Sequence, residues 1–179
     1  PPAPPPVAPP PPVLTTQDLD APCVPGSGRS WDSATERGTA LHEAMRVLLI
    51  RPDLAPRLPA RLGLGEEEVL SFARRAEALR AWLTGQGFTR ITTEVPADVV
   101  LASGARLSAT FDLLAEGEAG LALVDHKSDA ETDFEAGFLR HWPQLSAYLA
   151  GLRTFQAPER PVLVGIHWIG RGRITFGRV

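Results

Sequence analysis

Cysteine is nearly absent from this chain: Cys23 stands alone among 179 residues. One thiol excludes an internal disulfide and any cluster of cysteine ligands. Long apolar runs are missing too, and no stretch reaches the roughly 20 residues that a membrane-spanning helix needs. The opening residues are prolines, not the charged and then apolar segment of a secretory leader. An excess of positive charge is also lacking. The formal net charge is −3, so the overall field does not advertise nucleic-acid binding and any such contact has to be local. What remains is a one-domain length with 44% hydrophobic residues, enough for a sizeable core.

Proline is concentrated at the start. Residues Pro1 to Pro12 are nearly all proline, which predicts a stiff polyproline II spacer with no ladder hydrogen bonds. Thr15 to Arg29 stays rich in Pro, Gly and polar residues and is expected to pack loosely on the surface. Residues 1–29 thus read as a linker or tether, and residues 30–179 as the folded domain.

Within that domain, Ser30 to Ile50 reads as a helix capped by Asp32 or Ser33 and ended by Arg51-Pro52. Leu54 to Gly65 reads as a loop or short turns. Glu66 to Thr84 follows as an amphipathic helix with an acidic first turn. Leu70 is expected on its packing side, and Arg74, Arg75 and Arg80 on a basic outer face. Phe88 to Leu101 turns to β chemistry. Phe134 to Phe155 is helical by pattern, but Pro143 predicts a short helix and then a second one. Two alternating stretches, Pro161 to Ile169 and Arg173 to Val179, close the chain around a Gly170-Arg171-Gly172 turn. The count is about five strands in one mixed sheet with helices packed against it, an α/β fold.

The chain is organised around Leu107 to Ser128. Two strands joined by a tight acidic turn carry Asp112 on the first and Asp125-His126-Lys127 at the end of the second. Side chains alternate along a strand, so Asp125 and Lys127 share a face. An acid and a lysine at the end of a buried strand are costly unless paired or liganded. Two acids on neighbouring strands can hold a divalent cation through oxygen, and a lysine beside it can position a water. That set suits hydrolysis of a phosphodiester.

Asp112 followed by Asp125-x-Lys127 resembles the core of the PD-(D/E)xK nucleases. Upstream, Arg37-Gly38-Thr39-Ala40-Leu41-His42 looks like the RGTxxH helix of the RecB/AddA branch. Downstream, Gln144-Leu145-Ser146-Ala147-Tyr148 is similar to its QLxxY motif. The three stand in the family's order. The resemblance implies a restriction-endonuclease-like core and a metal-dependent deoxyribonuclease. Asp112, Asp125 and Lys127 would be catalytic. His42, Asp112, Asp125 and the backbone carbonyl of His126 would hold Mg²⁺ or Mn²⁺, and Arg37, Gln144 and Tyr148 would meet the substrate. Relatives often place an acid where Glu94 stands. It further implies single-stranded DNA as partner, delivered by a helicase motor in the same polypeptide or complex. The setting would be DNA end processing in the bacterial cytoplasm, at the nucleoid. The iron–sulfur cluster of some relatives needs four cysteines and is excluded.

Read without the resemblance, His42 is a core-edge histidine and Arg37 a solvated charge, while Gln144 with Tyr148 is equally an ordinary polar helix face. Two other readings stand beside the nuclease. One is a non-catalytic DNA-binding or structural domain that keeps the fold. The other is a stand-alone phage-type exonuclease.

Overall fold

The structure, a computed structural model, describes residues 7–19, 33–128, 131–156 and 159–179. The expected helix start at Ser30, the alternative cap Asp32, and Cys23 lie outside them. In chain order the elements are β1 (Thr15–Asp18), α1 (Ala34–Ile50), a 3₁₀ helix (Pro52–Arg57), α2 (Leu58–Leu62), α3 (Glu66–Gly85), β2 (Phe88–Val100), β3 (Arg106–Gly117), β4 (Gly120–Lys127), α4 (Phe134–Arg153), β5 (Val162–Trp168) and β6 (Arg173–Arg178). The strands form one six-stranded sheet in the order β1-β6-β5-β4-β3-β2. β4 and β5 run parallel, and every other neighbouring pair is antiparallel. The parallel pair needs a crossover, and α4 supplies it. No helix is long and apolar enough to cross a membrane, among the described residues.

Two apolar layers cover the sheet. On one face α1 and α3 pack Leu41, Met45, Leu48, Phe72 and Leu79 against Leu113, Ala122, Val124 and Leu163. On the other face α4 packs Phe138, Leu145 and Leu152 against Leu121, Leu123, Val164 and Ile166. β4 and β5 are buried on both faces, and their near-continuous apolar runs follow from that.

Four expectations are corrected. The sixth strand is β1, in the segment expected to lie loosely on the surface: Thr15–Asp18 pairs with β6. The proline arm ahead of it docks as well. Ala8 donates its N–H to Ser146 Oγ at 2.7 Å and accepts from Trp142 Nε1 at 2.6 Å. Leu14 packs against the α4 layer and Leu19 enters the α1–α3 core. An indole N–H meeting a carbonyl of an extended proline-rich segment is a recurring way of holding such a segment.

Second, α4 is one helix through Pro143. Pro143 is exposed, so water can satisfy the carbonyl one turn earlier that loses its N–H partner. Third, Arg75 and Arg80 do not form an outer face. Arg75 is 2% exposed and donates to the Ile169 carbonyl, and Arg80 donates to the Leu49 carbonyl at the end of α1. Leu70, expected to pack, is instead exposed. Fourth, the stretch expected as loop or turns after α1 contains the 3₁₀ helix and α2. Pro52 and Pro59 stand at the starts of these two helices, where proline is accepted, and Pro56 lies inside the 3₁₀ helix.

Candidate functional site

The site lies where β3 and β4 part. Their ladder ends at Leu113↔Val124. The next hydrogen-bonded rung would join Phe111 to His126. Instead the His126 N–H donates to Asp112 Oδ2 at 2.8 Å. A carboxylate thus replaces a backbone carbonyl, and a side chain enters the plane of the sheet. The N–H and C=O of one strand residue point to the same edge. The His126 carbonyl is therefore directed to the Asp112 side, while the Lys127 carbonyl is taken by Ile169 N–H on the β5 side.

The neighbouring strand contributes to this opening. Thr93 pairs with Leu113 and Val95 with Phe111, which leaves Glu94 opposite Asp112. Glu94 has φ 53°, the one positive value of a non-glycine among the described residues. Ile91, Leu113 and Ala115 pack into the α1–α3 layer, whereas Val95, Ala97 and Phe111 pack into the α4 layer. These positions have the same parity, so strict alternation would put them on one face. The ribbon turns over at Glu94 and Asp112.

α1 brings His42 to the same edge. Its cap is Ser33, whose side chain accepts from Glu36 N–H at 3.1 Å. Gly38 lies one turn ahead of His42, and a Cβ there would come within 3.1 Å of Ser128 Oγ. The missing side chain lets α1 approach the end of β4 closely. His42 Nδ1 stands 3.8 Å from Asp112 Oδ2, and its ring lies edge-to-face with that of His126, centroids 6.2 Å apart.

On the α4 face the partners are Lys127 and Asp125. Lys127 Nζ is 2.8 Å from Asp125 Oδ2 and donates to Gln144 Oε1 at 3.1 Å. Gln144 Nε2 donates to Asp125 Oδ1 at 3.3 Å and to Tyr148 OH at 2.7 Å. One amide therefore ties the acid, the lysine and the phenol together. Burial pushes the Asp125 carboxyl above its usual range, and repulsion from Asp112 adds to it; the Lys127 ammonium opposes both. Burial also raises the Tyr148 phenol.

Asp112, Asp125, Lys127, His42, His126, Gln144 and Tyr148 thus come together. Arg37 stands apart from them in its bonding: its guanidinium meets buried Glu68 on α3 at 2.7 Å. Sequence reasoning did not single out His167 or Arg75 as neighbours of the site. His167 sits in register with His126 across β4 and β5, and their Nδ1 atoms are 3.2 Å apart. The signal available was a lone imidazole in the otherwise apolar run Val162 to Trp168.

Residues 22–169 match the family described as the PD-(D/E)XK nuclease superfamily. No curated protein matches the chain. Nucleases of that superfamily typically use divalent metal ions, and the donors here are of the right chemistry. Two carboxylates and a strand carbonyl at one sheet edge are hard oxygen ligands, and Mg²⁺ is commonly held by one or two carboxylates while keeping several waters. The side chains form no ready-made cage: among the described residues no three His, Cys, Asp or Glu are grouped to hold a metal ion. Asp125 is instead bonded to Lys127, and Asp112 to the His126 N–H. With the mixed sheet flanked by helices, the acids at its parting strands and the match over most of its length, the chain belongs to the PD-(D/E)XK nuclease superfamily.

Proposed function

We propose that this domain is a metal-dependent deoxyribonuclease of the RecB/AddA type, acting on single-stranded DNA fed to it by a helicase motor in DNA end processing. The observation that carries the reading is the convergence of Asp112, Asp125 and Lys127 at the parting of β3 and β4, with His42 beside Asp112. Asp112, Asp125 and the His126 carbonyl would hold Mg²⁺ or Mn²⁺, with His42 as a further ligand. When bound, the ion would supply charge neutralisation and a Lewis acid at the scissile phosphate. Lys127 would orient the attacking water from the face it shares with Asp125. Gln144 would hold Lys127 in place, and Tyr148, linked to Gln144, would face the substrate. Arg37 would meet DNA only by exchanging its bond to Glu68 for a phosphate.

Cleavage of end-labelled single-stranded DNA with Mg²⁺ or Mn²⁺ tests the reading. Activity abolished by chelator and by Asp112→Ala and Asp125→Ala, in proteins that still fold, is the expected result. A metal-dependent wild type matched by both variants would sink it. DNA binding with no cleavage under any metal would favour the non-catalytic reading.

A further inference from the structure

The chain has an acidic balance, yet a DNA strand led to the site needs positive charge beside it. The surface arginines show where that charge stands. Several are cancelled one to one: Arg106 by Asp98, Arg173 by Asp18 and Arg140 by Glu131. Glu43 on α1 differs, because it meets two guanidinia. Arg46 forks onto it through Nε and Nη2, both at 2.6 Å. Arg61 of α2 reaches the same carboxylate at 3.3 Å. One negative charge against two positive ones leaves a surplus there.

The surplus lies next to the site. Arg46 follows His42 by four residues on α1, so the two side chains are neighbours one turn apart. His42 stands against Asp112. Glu94, opposite Asp112 on β2, acts on the same arginine. The bond to Glu43 raises the Arg46 guanidinium above its ordinary range, and the charge of Glu94 adds to that. A line therefore runs from Asp112 past His42 to Arg46, and on through Glu43 to Arg61. Glu116 is also shared by two arginines, Arg90 and Arg160. It pairs with Leu121 at the start of β4. That is roughly 13–20 Å back along the strand from Asp125 and Lys127, at the wrong end of the sheet for a strand entering the site.

The bonding at Glu43 leaves donors over. A guanidinium carries five N–H donors in a fixed plane. The fork of Arg46 uses Nε and Nη2, holds that plane still, and leaves Nη1 over. Arg61 is 63% exposed and touches Glu43 through one nitrogen; an exposed pair of that kind is weak and readily exchanged for a phosphate. One helical turn is about 5.4 Å, close to the step between neighbouring phosphates of a strand. We propose that Arg46 and Arg61 form a phosphate track for the backbone of single-stranded DNA, Arg46 taking the phosphate next to the scissile one and Arg61 the one after it. Glu43 is the positioning residue that sets the plane of Arg46. DNA as the occupant rests on the nuclease reading; the surplus charge does not.

Binding of a fluorescent dT oligonucleotide in chelator, followed by anisotropy over a series of salt concentrations, counts the phosphates neutralised. We expect Arg46→Ala and Arg61→Ala each to weaken binding about threefold or more and to flatten the salt slope by about 0.7, and the double variant to flatten it by about 1.4. Arg46→Lys keeps the charge and should keep the slope while giving up part of the affinity. Arg90→Ala should change neither. In cleavage with Mn²⁺ the two alanine variants should raise KM at nearly constant kcat, the mark of binding shared by ground and transition states. Wild-type slopes in both alanine variants, an equal fall in Arg90→Ala, or a wild type that does not bind the oligonucleotide at low salt overturns the track. Should Arg46→Ala not fold, the exposed Arg61→Ala decides alone. The expected slopes in a protein that cleaves nothing under any metal sustain the track and remove the nuclease reading. Cleavage by wild type with unaltered slopes in the variants removes the track and leaves that reading standing.

Discussion

Glu94 and Asp112 stand opposite each other at the point where β2 and β3 exchange faces. Glu94 carries the cost of that exchange in its backbone, at φ 53°. Asp112 takes the benefit, because its carboxylate reaches the His126 N–H in the gap that the turnover opens. Strain held by a non-glycine residue beside a candidate site is a reason to look for function there.

The first prediction follows from that backbone. Within a strand, glycine is ordinarily worse than alanine by about 0.5–1 kcal/mol. At a left-handed position the order reverses, since Cβ there costs about 1–2 kcal/mol. Glu94→Gly should therefore be more stable than Glu94→Ala by roughly 1 kcal/mol, measured by urea denaturation of both variants. If the alanine variant is equal or better, the turnover is not strained at Glu94.

Much of this was legible in the sequence. The acidic turn between β3 and β4, the alternation that puts Asp125 and Lys127 on one face, and the glycine ahead of His42 all follow from local patterns, and they brought the site together. The turnover was not legible, because Val95 and Phe111 are apolar at positions of the expected parity; only the opposite layer they join reveals it. Arg75 was misplaced because a lone buried guanidinium is spaced along a helix just like a solvated one. The proline arm was misread because composition reports stiffness, whereas docking depends on Trp142 and Ser146, far away in sequence.

That arm gives the second prediction. Deleting residues 1–18 should lower the melting temperature clearly. The deletion removes β1, the Thr16–Thr175 hydroxyl pair at 2.9 Å, the Trp82–Gln17 bond, the packing of Leu14 and the cover over Trp142. Full burial of a leucine is worth about 1.5–3 kcal/mol; Leu14 is only partly buried, so its share is smaller, and with the lost strand pairing and hydrogen bonds a total loss of roughly 2 kcal/mol is expected. Equal melting temperatures for the 1–18 deletion and the full chain would mean that the arm does not hold.

The third prediction concerns acid. Burial, with the nearby His42, holds the His126 ring down to about 3, and burial with the nearby His126 holds His167 well below its usual range. In the unfolded chain both take up a proton near the ordinary value of about 6.5. Below that pH the unfolded state binds more protons, so stability falls as pH drops from about 6.5 toward 3, by about 1.4 kcal/mol per pH unit for each histidine. The steep part should precede the titration of the surface carboxylates. Urea midpoints taken between about pH 6.5 and pH 5 measure the slope, and His167→Leu should reduce it by about half. An unchanged slope in that variant would mean that His167 does not stay neutral in the fold.

Lys127 gives the sharpest test of the chemistry. Its ammonium is held between Asp125 Oδ2 and Gln144 Oε1, which aims it without making it a metal ligand. Lys127→Ala should therefore keep Mn²⁺ affinity, followed by calorimetry, close to that of wild type. The single-turnover cleavage rate should fall by about 100-fold or more, the scale of a lost proton-handling or water-positioning group. Lys127→Arg should not rescue, because the planar guanidinium is larger than the ammonium and keeps its proton at any working pH. Gln144→Ala removes one of the two anchors and leaves the ammonium on Asp125, so its rate should lie between those of Lys127→Ala and wild type. A Lys127→Ala protein that lost both metal and activity would make the lysine a strut that keeps Asp125 in place. One that lost neither would make Asp125 and Lys127 a structural pair at the end of β4, and the proposed reaction would lose its central residue.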